Sequence, residues 1–275
     1  MDPIGSYPHE GNGDQGQVLL IALVVTSVFA VSLVGAKIWA RTKIAEHLGW
    51  DDLFVVLGVG FAIAAIAPFV KALHAGLGRL AQSLRPEQVV QVGCWSYIAQ
   101  YIVAISTAFV RLSVACLLMR NFGTTKYWRW GLLLAIIFIV TTKISILILL
   151  ALECRPLQKT WDPMLNGSCW SWSSRSAFIT YQRATGIISD WGLALLPVAG
   201  LWNTQLKLRR KVVIWTLMGM GLFTGVCPLV RLLQIKKYAV PELPHWVLLD
   251  QALWAVLEMN LGIVASCVSS LTPLL

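Results

Sequence analysis

Charged side chains are what this sequence is short of. They make up 13% of its 275 residues, about half the share of a soluble domain. Hydrophobic residues reach 57%, and mean hydropathy is +0.70. So little charge cannot clothe a globule in polar surface. This argues against a soluble enzyme, a disordered chain and, despite a net charge of +9, a nucleic-acid binder. The signatures of soluble catalysis are also missing: there is no His-Glu-x-x-His, no Cys-x-x-Cys, no Gly-x-Ser-x-Gly and no phosphate loop. The four histidines, His9, His47, His74 and His245, scatter over tail and loop regions, so no metal and no cofactor are expected. Six cysteines do not make a disulfide scaffold by count. No fixed-period repeat, low-complexity segment or second domain is visible.

What the sequence has is long apolar runs. About 20 apolar residues carry a helix across the hydrocarbon, and seven runs qualify: 17–39, 51–73, 89–119, 130–152, 183–202, 212–233 and 246–270. The fifth is the weakest, interrupted by Arg183, Asp190 and Pro197. The runs are long and do not alternate, which excludes barrel strands. The fold class is therefore an all-α membrane protein, a seven-transmembrane helix bundle over 17–275 behind a short polar tail, 1–16.

Basic residues set the expected orientation. Lys37, Arg41 and Lys43, then Arg120, Lys126 and Arg129, then Lys207, Arg209, Arg210 and Lys211 fall in three short loops and account for ten of 22. Positive-inside bias places these loops in the cytosol, the N-terminus outside and the C-terminus in the cytosol. The tail, with Asp2, Glu10 and Asp14 and no basic residue, is too polar for a signal peptide. Only five residues follow the last run, so no cytosolic tail is expected. Ten of 13 Trp lie at predicted span ends, where an aromatic belt belongs. Asp51 and Asp52, opening the second run, are expected to cap it and oppose its dipole.

The outer loop 153–173 holds Cys154 and Cys169. Facing an oxidising compartment, they can bridge, closing a 16-residue loop for about 3 kcal/mol in the chain-entropy model. Cys94, near the outer end of the third run, competes for that role. Asn166-Gly167-Ser168 is a glycosylation sequon.

Several motifs then stand in a telling order: Gly49-Trp50-Asp51-Asp52; Gly76-Leu77-Gly78-Arg79; Cys154-Arg155-Pro156; Trp161; Gly167-Ser168-Cys169; Asp190 before Leu195-Leu196-Pro197; Arg209-Arg210-Lys211; Arg231; and Trp254, Glu258 and Asn260. From about residue 18 to the C-terminus the chain resembles the fungal rhodopsin-like seven-helix integral membrane domain family, to which satratoxin-cluster-type membrane proteins belong. The resemblance implies a fungal seven-helix protein of the plasma membrane or an endomembrane, of a kind either receptor-like or encoded in secondary-metabolite gene clusters. The chain departs from the pattern at Arg111, where relatives commonly have Lys, and at Ser269-Ser270-Leu271, where Pro is usual. The Cys-rich module of some receptor-type relatives is absent, since 1–16 contains no Cys.

The family's name does not bring retinal with it. A retinal Schiff base needs a Lys amine in the last helix, and 246–275 has none. Lys143, the one mid-membrane Lys, is in the fourth run. The third run ends Leu117-Leu118-Met119-Arg120, and the seventh lacks Asn-Pro-x-x-Tyr, so receptor coupling of the class A type has no motif behind it.

Ionisable residues within a bilayer cost about 2.5–3.5 kcal/mol each on insertion scales. At 1.5 Å per residue, Arg111 lies about 12 Å from the cytosolic end, and Lys143, Asp190 and Glu258 about 18–20 Å. This set is formally neutral, and Lys143 is the expected partner of Asp190 or Glu258. Asp250, Trp254 and Glu258, at i, i+4 and i+8, form one stripe that must face the interior. Asp250 lies where Arg231 can reach it. The ligand-binding candidates are thus Arg111, Lys143, Asp190, Trp254 and Glu258, and the catalytic candidates Asp190, Glu258 and Asp250.

Two functions fit. In one, the bundle holds a lipophilic small molecule in a receptor-like or accessory role. Alternatively, since burial favours the protonated form of a carboxyl group, Asp190 or Glu258 acts as general acid in a membrane-embedded cyclase or epoxide-opening enzyme of a secondary-metabolite pathway. Seven helices without repeat symmetry argue against a transporter.

Overall fold

A computed structural model describes residues 15–45, 49–77, 85–122, 126–162, 164–201, 208–237 and 245–271. Almost all of the predicted tail 1–16, together with Arg79 and Lys207, lies outside the described residues, as do the side chains of Arg209, Arg210, Lys211, Ser269 and Ser270. Seven helices appear in the expected order: α1 (Gln15–Ala40), α2 (Trp50–Ala75), α3 (Pro86–Phe122), α4 (Lys126–Ala151), α5 (Trp172–Leu201), α6 (Leu208–Lys237) and α7 (His245–Leu271). A π-helical turn, Arg41–Ala45, follows α1. Two short antiparallel strands, β1 (Cys154–Arg155) and β2 (Ser168–Cys169), lie between α4 and α5.

Helix α5 starts eleven residues before the apolar run that predicted it. Its first turns are polar, and Ser171 caps them, its Oγ accepting from the Ser174 N–H at 3.4 Å. By length and composition α1 to α4 and α7 can each cross a membrane; α6 has only a shorter apolar stretch, Met218–Leu233. The charges on α5 and α6 lower their mean hydropathy, yet Ile188, Leu195, Phe223 and Leu233 face outward and are exposed. Val25, Val28 and Phe29 on α1 and Leu134, Ile137 and Ile148 on α4 are exposed too. A water-facing surface would not be built this way, whereas lipid accepts it. The chain is an all-α integral membrane protein.

The main core joins Val55, Ala62 and Phe69 of α2, Ala99 and Val110 of α3, and Val256, Met259 and Ile263 of α7, with Leu23 and Ala30 of α1 behind them. α2 and α3 approach closely because Gly58 offers no side chain: a Cβ there would sit 2.8 Å from Val110 Cγ2, and Ser106 Oγ donates to the Gly58 carbonyl at 2.7 Å. α5 packs mainly on α6, and α6 on α7.

One end of the bundle is fixed by ions. Asp51 and Asp52 are buried, and Asp52 Oδ2 accepts from the Gly49 N–H at 3.1 Å, the expected cap. They also face three cations: Lys37 Nζ lies 3.3 Å from Asp52 Oδ1, Arg41 Nη2 3.2 Å from Asp51 Oδ2, and Arg120 Nη1 3.5 Å from Asp51 Oδ1. Lys37 was expected with Arg41 and Lys43 in a short cytosolic loop at the end of the first run. It is instead fully buried on α1, because the two carboxylates draw it inward. Trp39, Trp50, Trp130 and Trp215, at helix ends, are largely exposed, as an aromatic belt requires.

The other end is covered by the loop between α4 and α5. Cys154 and Cys169 are disulfide-bonded and pair across β1 and β2, leaving Cys94 free. Trp161 settles on α3, its ring 5.3 Å from that of Tyr97 and its Cβ where a side chain at Gly93 would stand. Arg175 Nε donates to Glu153 Oε1 at 2.6 Å beside the loop.

Candidate ligand site in the bundle

The buried charges of the bundle interior come together on four helices. Arg111 of α3 meets Asp190 of α5 in a two-pronged pair, Nε to Oδ1 at 2.7 Å and Nη2 to Oδ2 at 2.9 Å. The same Nη2 reaches Glu258 Oε1 of α7 at 2.9 Å. Arg231 of α6 completes the chain, Nη1 donating to Glu258 Oε2 at 3.2 Å and Nε to Gln251 Oε1 at 3.0 Å. All four charged side chains are about nine-tenths buried. The planar guanidinium suits this task, since its fixed fork matches two carboxylate oxygens at once.

A cavity of about 230 Å³ opens beside the network. Its polar wall is made by Thr107 and Arg111 of α3, Lys143 of α4, Arg183 of α5, Arg231 of α6 and Glu258 of α7. Phe69, Val103, Phe178 and Ile179 supply an apolar side. It runs to Glu153 and Arg175, near the disulfide-closed loop. This is smaller than the roughly 300–1,000 Å³ of pockets for drug-sized ligands, so it suits a small molecule or one end of a longer one.

Several expectations change here. Lys143 pairs with neither acid: its Nζ donates to Thr107 Oγ1 at 3.0 Å, and Arg111 takes the place beside Asp190 and Glu258. The interior set is not neutral, because Arg183 and Arg231 join it, making four cations against two carboxylates. The α7 face toward the cavity is Gln251, Ala255 and Glu258, so of the predicted stripe only Glu258 lines the wall. Asp250 and Trp254 are half-buried and outside the lining, and Asp190 reaches the site through Arg111. Arg183 and Gln251 are absent from the expected ligand set. The signal for both was spacing: Arg183 lies seven residues before Asp190, and Gln251 seven before Glu258, two turns along one face.

The network spans the helices that a family match also spans. The model of the fungal rhodopsin domain matches residues 36–275. The chain belongs to this family. Within this fungal rhodopsin domain lie all of the network and the whole cavity wall. Among curated proteins, the chain is 23% identical over 267 residues to "Fugralins biosynthesis cluster protein 2" of Gibberella zeae, covering 94% of this chain and 64% of that protein. It is 23% identical over 240 residues to a "SAT4 family membrane protein" of Emericella nidulans, covering 86% and 57%. It is 25% identical over 170 residues to "Satratoxin biosynthesis SC1 cluster protein 4" of Stachybotrys chartarum, covering 60% and 59%. The chain thus spans roughly three fifths of the length of these relatives. No solved structure matches it. Among the described residues no group of three or more His, Cys, Asp or Glu side chains could hold a metal ion.

Proposed function

We propose that this fungal rhodopsin domain serves secondary metabolism by holding a lipophilic small molecule inside its bundle. All seven helices cross the membrane, with the outer loop on the non-cytosolic face and the Lys37–Asp51–Asp52 end toward the cytosol. The names of two relatives, both cluster proteins, support the setting. The observation that carries the reading is the cavity itself, with an ionic wall and an apolar wall within the bundle, reached by side chains from α2 to α7.

The geometry favours binding over acid catalysis. A general acid must present a proton on an oxygen that faces the substrate. Both oxygens of Asp190 and both of Glu258 accept from guanidinium N–H groups, which leaves neither carboxyl group placed to donate. Arg111 and Arg231 hold the acids as structural anions around the site.

The test is genetic and chemical. Deletion of the gene in its fungus should alter the profile of one lipophilic metabolite family, and wild-type protein should restore it. Gly186→Leu should fail to restore it, because Gly186 lines the cavity and a Cβ there meets only ordinary contacts, 3.5 Å from Arg111 Nη2, beyond which a Leu side chain occupies the void. Gly186→Ala should restore it. An unchanged metabolite profile on deletion would overturn the proposal.

A further inference from the structure

The charges around the cavity do not balance, and the imbalance has a direction. Asp190 and Glu258 are each engaged by Arg111 or Arg231 through every carboxylate oxygen. Arg183 and Lys143 face the same cavity from α5 and α4 with no carboxylate of their own within ion-pair distance among the described residues. Lys143 has three donors and uses one, on the neutral hydroxyl of Thr107. Arg183 has five donors; Nη2 makes one long bond to Gln251 Oε1 at 3.4 Å, and Nε is buried with no partner. Ser96 Oγ, further along the same wall, is buried and unpartnered too.

Buried cations in a membrane bundle are matched by an anion or by polar acceptors. For Arg183 the described residues supply no anion and only the one long bond to Gln251 Oε1. The protein supplies apolar lining to the same cavity, at Phe69, Phe178 and Ile179. We infer that the small molecule is an amphipathic carboxylic acid whose carboxylate seats between Arg183 and Lys143 and whose apolar body lies against the phenylalanine side. The inference rests on the small-molecule reading above and adds the chemical class. A neutral lipophile would leave both cations unmatched, and a cation would add to the excess. The limited volume favours one carboxylate with a short chain over a phospholipid headgroup with two.

The experiment uses the full chain in phosphatidylcholine nanodiscs, with octanoate, 1-octanol and octylammonium as probes. Octanoate should bind wild type at least about tenfold more tightly than octanol, the size expected of a charge-assisted contact out of water. Arg183→Gln with Lys143→Gln together should erase that preference, and Arg183→Lys should keep most of it. Because the unliganded protein holds an unmatched charge, Arg183→Gln should unfold no earlier than wild type without ligand. Equal binding of octanoate and octanol, or preference for octylammonium, overturns the carboxylate assignment and leaves the cavity as a neutral site. Binding of none of the three overturns both this inference and the small-molecule reading. Marked destabilisation by Arg183→Gln would reveal a protein partner for Arg183 and overturn the assignment as well.

Discussion

Arg111 and Asp190 are joined by two contacts, Nε to Oδ1 at 2.7 Å and Nη2 to Oδ2 at 2.9 Å, and so lock α3 to α5 in the middle of the bundle. Removing one partner of a buried pair leaves the other charge unmatched, at a cost of about 3–5 kcal/mol, whereas removing both together costs much less. Arg111→Met should destabilise the protein by about that amount because Asp190 loses its cation, Asp190→Met by less because Arg111 keeps Glu258, and the double variant by clearly less than the sum. Glu258 keeps Arg231 in every case. Unfolding in graded SDS or by heat in detergent reads the cycle; additive losses would show that the two residues act independently.

Lys37 and Lys43 sit six residues apart near the same end, yet one is fully buried between Asp51 and Asp52 and the other is exposed. Lys37→Met should destabilise by about 1–3 kcal/mol, chiefly through Asp52, since Asp51 keeps Arg41 and Arg120. Lys43→Met should change stability by less than about 0.5 kcal/mol. The same unfolding assay separates them.

The disulfide between Cys154 and Cys169 predicts a thiol count. Unfolded protein should react with four equivalents of a thiol reagent before reduction and six after, Cys94, Cys116, Cys227 and Cys267 being the free ones. Cys154→Ser with Cys169→Ser should cost about 3 kcal/mol, the chain-entropy value for a loop of this length.

Asn166 is exposed in the loop this bridge closes. With the loop on the non-cytosolic face, protein expressed in a fungus should carry one N-glycan there. Endoglycosidase should shift its mobility, and Asn166→Gln should abolish the shift. A reporter that places the loop in the cytosol would reverse the proposed orientation.

Much of the fold was legible because lipid imposes a simple code. Apolar runs of bilayer length gave all seven helices, and the Cys154–Cys169 bridge followed from two cysteines in one outer loop. The start of α5 was not legible, since Ser171 and the polar turns after it carry no apolar period. At the site, Arg111, Asp190 and Glu258 stood out as charges in apolar runs, and the structure brings them together. Which cation meets which acid was not readable. That depends on the rotation of each helix, and a shift of one residue turns a side chain by about 100°. Hence Gln251 and Glu258 face the cavity where Asp250 and Trp254 were expected beside Glu258, and Lys143 turns to Thr107. Lys37 was misplaced for a related reason: sequence shows a basic residue near a span end, and only packing shows the two aspartates closing over it.

The central claim is that a small molecule occupies the cavity lined by α2 to α7. Its most direct test is mass spectrometry of the organic extract from protein purified out of the fungus that carries the gene, wild type beside Gly186→Leu. The account predicts one lipophilic species near one per protein chain in the wild-type extract, and its loss from the Gly186→Leu extract while both proteins stay folded. Identical extracts from the two proteins would contradict it.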